Sequence, residues 1–234
     1  TKIDNKQVTI NEKEKIQYKY LVGADGANSI VRKYLGLKTN NFEEAFQYIT
    51  NKKFKDLQII FDFHKFGLTY VYIFPYRTRT IIGFGTDLSK KIHQPVFNIP
   101  FFRNKKNFDD WCSKKFDIEK AKFQAGIINY DYRGHEFGNK FLVGDAGGFT
   151  LGLFANGIYS AIKSGEDIAK KIIDKKYSCQ NIKKILTIKK VEETLLRTFE
   201  FNEDFSEIEM GLLVKFFSMI VKFRFLGDKI LKNF

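Results

Sequence analysis

Residues 141–172 read FLVGDAGGFTLGLFANGIYSAIKSGEDIAKKI, and residues 20–36 read YLVGADGANSIVRKYLG. Each is an apolar strand that runs into a turn of Gly and Asp and then into a helix. Glycine admits positive φ and lets a ligand come close to the backbone. The helix that follows points its partial positive end at the turn, which suits anionic ligand atoms. An aspartate there accepts hydrogen bonds from sugar-like hydroxyls. A single Gly-Asp turn is common in ordinary loops. Two such units in this order, about 120 residues apart, point to a polyhydroxylated, phosphorylated cofactor.

Working outward, residues 7–10 and 16–22 alternate apolar and polar and predict strands, with a hairpin turn over 11–15. A short helix is expected from about 29 to 35. The runs 57–63, 68–74 and 79–85 are β-rich with short connections and predict an antiparallel sheet. Residues 108–116 predict a surface helix, and 122–129 a further strand. After the short buried strand at 140–145, Ile158, Ala161, Ile162, Gly165, Ile168, Ile172 and Ile173 recur at helical spacing over 157–176. Residues 181–200 predict a polar-rich helix, and 210–234 one or two amphipathic helices with a break at Gly227.

The chain has 234 residues, 44% of them hydrophobic with 26 Phe and 11 Tyr, enough apolar material to build a core rather than a disordered chain. The net charge of +13 suits anionic partners, although Lys is spread along the whole chain as a composition bias would spread it. Cys112 and Cys179 are isolated and form no disulfide framework or zinc spacing. They read as inert thiols in a reducing, cytoplasmic setting. His64, His93 and His135 show no ligand spacing and read as surface or structural residues. No nucleic-acid reader motif accompanies the basic charge, and no uncharged run of about 18 residues spans a bilayer.

The GADGANSIVR segment resembles the second motif of p-hydroxybenzoate-hydroxylase-type flavoproteins, and FLVGDAGG resembles their third, whose aspartate contacts the ribityl chain of FAD. The resemblance implies FAD as cofactor. Carried over, Gly23, Asp25, Gly26 and Arg32 belong to the second motif; Gly144, Asp145 and Gly148 belong to the third. Gly157 and Ile158 would start a helix aimed at the flavin pyrimidine edge. The run TYVYIFPYRTRTIIGFGT (69–86) is similar to the strand pair of geranylgeranyl reductases, where a Tyr-x-Trp-x-Phe-Pro run faces flavin and substrate. Here it reads Tyr70-Val71-Tyr72-Ile73-Phe74-Pro75. Tyr70, Tyr72 and Phe74 share one face of a strand, and Pro75 would end it. That face serves either as the sheet's core or as the wall of a prenyl pocket.

Three departures accompany the resemblance. No GxGxxG unit, the βαβ element that seats a cofactor pyrophosphate, occurs in the sequence, and the chain is expected to be N-terminally truncated. Tyr72 stands where the family has Trp. Where the reductases have Gly-Glu-Gly-Ile, this chain has Ala155-Asn156-Gly157-Ile158, placing Asn156 beside the expected flavin ring. The expected fold class is α/β: an incomplete FAD-binding Rossmann-like domain (1–37 and 131–178), an inserted antiparallel β-sheet substrate domain (38–130) and C-terminal helices (179–234). The implied activity is FAD-dependent reduction of prenyl carbon–carbon double bonds, with NAD(P)H or another electron donor. A flavin monooxygenase or halogenase on the same scaffold, and a non-catalytic membrane- or partner-binding remnant, stand as alternatives. A hydrophobic substrate and the basic 210–234 segment imply either peripheral contact at the inner face of the membrane or packing of that segment against the cofactor domain. Arg77 and Arg79, at a hairpin tip, read as a solvated turn or a contact for a substrate diphosphate.

Overall fold

The computed structural model describes residues 1–66, 69–85, 101–152 and 155–200, and the side chains within them except those of residues 63, 64, 101–104 and 195–200. His93 and the expected amphipathic helices of 210–234 lie outside the described residues.

The chain opens on a three-stranded antiparallel meander, β1 (Lys2–Ile3), β2 (Gln7–Ile10) and β3 (Glu14–Gln17). Asn11 and Glu12 turn the β2–β3 hairpin with positive φ, a conformation that Asn tolerates better than most residues. The expected strand 16–22 is two strands in two sheets. Its second half, β4 (Leu21–Gly23), pairs in parallel with β11 (Lys140–Leu142), and β11 pairs antiparallel with β10 (Glu136–Phe137). Between β4 and β10 lie helix α1 (Ile30–Tyr34) and a five-stranded antiparallel sheet in the order β6-β7-β8-β5-β9.

That sheet is built from β5 (Phe42–Thr50), β6 (Gln58–Ile60), β7 (Val71–Pro75), β8 (Thr80–Phe84) and β9 (Lys122–Asn129). One face buries Val71, Ile73, Ile82, Phe84, Phe46 and Tyr48 against Phe108 and Cys112 of α3 (Phe101–Ser113) and against Phe66 at the end of the single turn α2 (Phe63–Phe66). Fully burying each large side chain contributes about 1.5–3 kcal/mol, so this is the sheet's main source of stability. Helix α3 therefore corrects the expected surface helix at 108–116: it starts earlier, and Phe108 and Cys112 are 0% exposed. The expected strand 57–63 stops early because Asp62 turns the chain, its carboxylate and carbonyl accepting the backbone N–H groups of Lys65 and Phe66.

The described residues end on the single turn α4 (Gly144–Gly147), α5 (Ile158–Ile173) and α6 (Gln180–Glu200). Helix α5 buries only part of the isoleucine stripe that locates it. It buries Ser160, Ser164, Asp167 and Ile168, while Ile158, Ile162 and Ile173 are exposed. Asp167 anchors α6 by accepting from the Ile182 N–H at 2.8 Å, the Asn181 amide at 2.7 Å and the Tyr177 hydroxyl at 3.0 Å. Among the described residues no helix is long and apolar enough to cross a membrane.

Candidate functional site

Parallel pairing of β4 with β11 sets Gly23 opposite Leu142, and the Val143 N–H extends the ladder to the Gly23 carbonyl at 3.0 Å. Both Gly-Asp turns thus leave the sheet at the same end, side by side. Gly23 is required by this closeness: a Cβ there would lie 2.7 Å from Leu142 Cδ2 and 2.8 Å from Val31 Cβ.

In the first turn Gly26 has φ +77°. The exposed Asp25 carboxylate accepts the Ile30 N–H at 2.7 Å, and Ser29 Oγ caps α1 by accepting the Arg32 N–H at 2.9 Å. In this structure Asp25 serves its own loop. Arg32 is 1% exposed and runs under the turns. It donates to the carbonyls of Ala146 (3.2 Å), Lys38 (3.1 Å) and Asp131 (2.7 Å) and lies 3.7 Å from the Asp131 carboxylate. Burial draws the Arg32 pKa below its usual value, against the pull of Asp131. Burial also opposes the charge of Asp131, yet the Asn40 N–H, Arg133 and Arg32 together hold its carboxyl below the usual range. Arg32 therefore ties the two turns to each other and to the chain leaving β9.

The second turn is made by Gly144 (φ +53°) and Gly148 (φ +72°). Ser164 of α5 accepts the Gly144 N–H at 3.0 Å, which fixes the helix on the turn. Asn129, the last residue of β9, donates its side-chain amide to the Asp145 carbonyl at 2.7 Å and accepts the Asp131 N–H at 2.9 Å, so the large sheet is joined directly to this bend. The Asp145 carboxylate accepts the Thr150 hydroxyl at 2.7 Å. Gly157 lies against that pair: a Cβ would stand 2.8 Å from Thr150 Oγ1 and 3.2 Å from Asp145 Oδ1. The N-terminus of α5 is thus held beside the carboxylate. Ala155 takes positive φ, and the Leu151 N–H reaches the Asn156 carbonyl at 3.4 Å. Asn156 and Ile158 are both exposed at the mouth of this loop.

Burial raises the pKa of Asp145, and the Thr150 hydroxyl and Asn129 offset this only in part. Because the folded value lies above the unfolded one, the linked stability is complete below the unfolded pKa and is lost as pH rises through the folded pKa. The ionised carboxylate is thus a cost to the fold at neutral pH. Asp145→Asn keeps an acceptor for Thr150 and removes the charge. We expect it to melt at a higher temperature than wild type at pH 7, with the difference disappearing at acid pH; thermal unfolding at both pH values checks this.

Tyr70, Tyr72 and Phe74 do share a face, opposite the buried Val71 and Ile73. Their rings form a ladder, Tyr70–Tyr72 at 6.3 Å and Tyr72–Phe74 stacked at 4.6 Å, continued by Phe61 at 6.0 Å from Tyr70. This face is not the core that packs on α3. The Tyr72 ring lies over Gly83 of β8, where a Cβ would come within 1.8 Å of it. Burial pushes the Tyr72 phenol up to about 12 and raises that of Tyr70 further. Pro75 ends β7. Arg77 and Arg79 are exposed at the β7–β8 tip. Cys112 and Cys179 are buried free thiols whose pKa values burial raises, which makes them poor nucleophiles. His135 meets the Tyr132 hydroxyl at 2.6 Å, and burial lowers its pKa; the His64 side chain is outside the described ones.

The sequence reading missed Asn129, Asp131, Thr150 and the buried Lys189, whose ammonium donates to the Thr150 carbonyl at 2.9 Å. Their polar types within apolar surroundings, as in IINYDY, were the available signal.

Residues 4–107 match the FAD binding domain family. The described fold is similar to those of solved proteins that include a geranylgeranyl-reductase-like protein and halogenases. A geranylgeranyl bacteriochlorophyll reductase-like protein from Thermoplasma acidophilum superposes with a TM-score of 0.58 at 18% identity, over 85% of this chain and 57% of that one. A tryptophan 6-halogenase from Streptomyces toxytricini gives 0.58 at 12% identity over 83% and 39%, and a tryptophan halogenase from Shewanella frigidimarina 0.54 at 14% over 83% and 38%. The chain therefore spans less than two thirds of the length of each of these proteins. No curated protein matches it in sequence. The resemblance read from the two turns and the expected α/β fold class are borne out.

Proposed function

We propose that the chain is the part of an FAD-dependent oxidoreductase that holds the flavin's sugar-phosphate chain and presents its substrate, a prenyl lipid whose carbon–carbon double bonds it reduces. The observation that carries the flavin reading is the pair of adjoining turns with a half-buried, charge-costly carboxylate at Asp145. Such a group fits a chain of ligand hydroxyls, and Gly144, Gly148 and Gly157 let α5, the Asp131 backbone and Thr150 pack closely around it. FAD, when bound, supplies two-electron redox chemistry. The protein's part is position and electrostatics: Asp145 orients hydroxyls, and the α5 N-terminus beyond Gly157 and Ile158 offers its positive end to an electron-rich ring edge.

The substrate reading rests on the aromatic ladder Phe61-Tyr70-Tyr72-Phe74, a face that suits an unsaturated apolar chain. In this reading residues 1–37 and 131–178 form the cofactor portion, 38–130 the substrate portion and 179–234 the C-terminal portion, with NAD(P)H or another donor as the source of electrons and the 210–234 segment as the membrane contact. Tryptophan halogenases share the fold equally well, so oxygen-dependent chemistry is the second reading. Anaerobic incubation of the FAD-loaded, dithionite-reduced protein with a geranylgeranyl lipid separates them. Mass gain of two per double bond is expected. An unchanged lipid, together with substrate-stimulated oxygen uptake in air, would favour the second reading.

A further inference from the structure

We infer that Glu43 is the proton donor of the site, its carboxyl protonating the prenyl double bond at the end of the aromatic ladder nearest the flavin turns. The inference rests on the prenyl-reductase reading and names a group that reading leaves open.

The register of the large sheet puts Glu43 on the face of the ladder. Gln47 and Tyr72 both lie opposite Gly83, one on each side of β8, and the Tyr72 hydroxyl donates to Gln47 Oε1 at 3.3 Å. Side chains alternate along a strand, so Glu43, four residues before Gln47, shares that face, while Phe46 and Tyr48 turn toward α3. Those four residues carry Glu43 about 13 Å along the strand, to a place opposite Ile128 and beside Asn129, which holds the Asp145 carbonyl. Between Gln47 and Glu43 the floor is low. It is made by Ala45 and, opposite it, Gly126, where a Cβ would meet nothing within 4 Å. No bulky side chain of β5 or β9 therefore stands between the ladder and Glu43.

Glu43 is 8% exposed, and a carboxyl removed from bulk water is a common general acid. Its neighbours tie it to both halves of the site. Burial, then Tyr72 and Glu43, raise the pKa of the Tyr70 phenol; burial, then Glu43, Asp131 and Glu193, raise that of Tyr130. The Glu43 carboxyl thus lies near the first tyrosine of the ladder and near Tyr130. Lys189 Nζ lies 5.5 Å from the centre of the Tyr130 ring and donates to the Thr150 carbonyl, and Thr150 bonds the Asp145 carboxylate. The ladder's own phenols are far weaker acids than a carboxyl, with Tyr72 pushed up to about 12 by burial. In the step that Glu43 serves, the π bond breaks, one carbon takes the carboxyl proton and the other takes a hydride from the reduced flavin, which is oxidised by two electrons. The carboxylate regains its proton from water.

The test compares farnesol with its aza-analogue, in which a tertiary ammonium replaces one alkene carbon and carries the positive charge that protonation places there. Calorimetric titration into the protein without added flavin is expected to show the wild type binding the ammonium about tenfold more tightly than farnesol. Glu43→Gln should bind the two alike, at undiminished farnesol affinity, which also shows that the variant is folded. Glu43→Asp should keep part of the preference, and Glu44→Gln, on the opposite face, all of it. In the FAD-loaded, dithionite-reduced protein Glu43→Gln should lower kcat by about a hundredfold or more at unchanged KM. An undiminished preference for the ammonium in Glu43→Gln, or reduction of the lipid by that variant at the wild-type rate, overturns the role of Glu43 and leaves the reductase reading standing. Failure of the wild type to bind either molecule overturns both.

Discussion

Gly148→Ala is expected to destabilise the protein by about 4 kcal/mol, far more than the loss of one glycine elsewhere. Gly148 has φ +72°, and a Cβ there would fall 2.3 Å from the Asp131 carbonyl oxygen, 2.4 Å from its carbon and 2.6 Å from the Tyr132 nitrogen. All three are backbone atoms that cannot swing aside as a side chain does. Displacing them also breaks the Asp131 carbonyl away from Arg32, whose bond to it is 2.7 Å. Gly26→Ala is the internal control. Gly26 has φ +77° but open space around it, so only the left-handed backbone term of about 1–2 kcal/mol applies. Urea unfolding should show a large drop in midpoint at unchanged slope for the first variant and a small one for the second. Equal effects would mean that the second turn yields easily and is not a fixed cradle.

Arg32→Met should cost about 3–5 kcal/mol, the range for removing one partner of a buried ion pair. The substitution strands the Asp131 carboxylate, 5% exposed, with Arg133 as its remaining cation. It also leaves the carbonyls of Ala146, Lys38 and Asp131 without the guanidinium. Adding Asp131→Asn removes the stranded charge, so the double variant should be less unstable than the sum of the two single ones. The pH dependence has a definite sign. Asp131 has a lowered folded pKa, so its contribution is present above the unfolded pKa and is lost as pH falls through the folded one. Arg32→Met should flatten that acid limb, and chemical unfolding across the acid range measures it.

These two sites also show what a sequence can and cannot disclose. The turns themselves were legible, because an apolar strand, a Gly-Asp bend and a helix are all local patterns. So were β9, whose eight residues match the expected span, and the position of α5. The longest strand, β5, was missed because Glu43, Glu44 and Gln47 hide the alternation of Phe46, Tyr48 and Thr50 that face the core. Isoleucine spacing located α5 but could not give its buried face, where the serines and Asp167 turn inward beside Ile168 because Gly144 and α6 supply hydrogen bonds. Arg32 was legible as a motif residue, but its role was not. Its partners Asp131 and Ala146 lie 99 and 114 positions away, and no local pattern encodes such a pairing. Thr150 and Asn129 escaped notice in the same way, since their importance follows from contact with Asp145 alone.

The central claim is that the adjoining turns hold a flavin through Asp145. Titration of FAD, followed by the visible difference spectrum, into the protein expressed with any coding sequence contiguous with it tests this most directly. Saturable binding is expected for the wild type and loss of that binding for Asp145→Asn, while the variant's fold is intact and no less stable at neutral pH. Undiminished FAD binding by Asp145→Asn, or a wild-type protein that leaves the flavin spectrum unchanged, would contradict it.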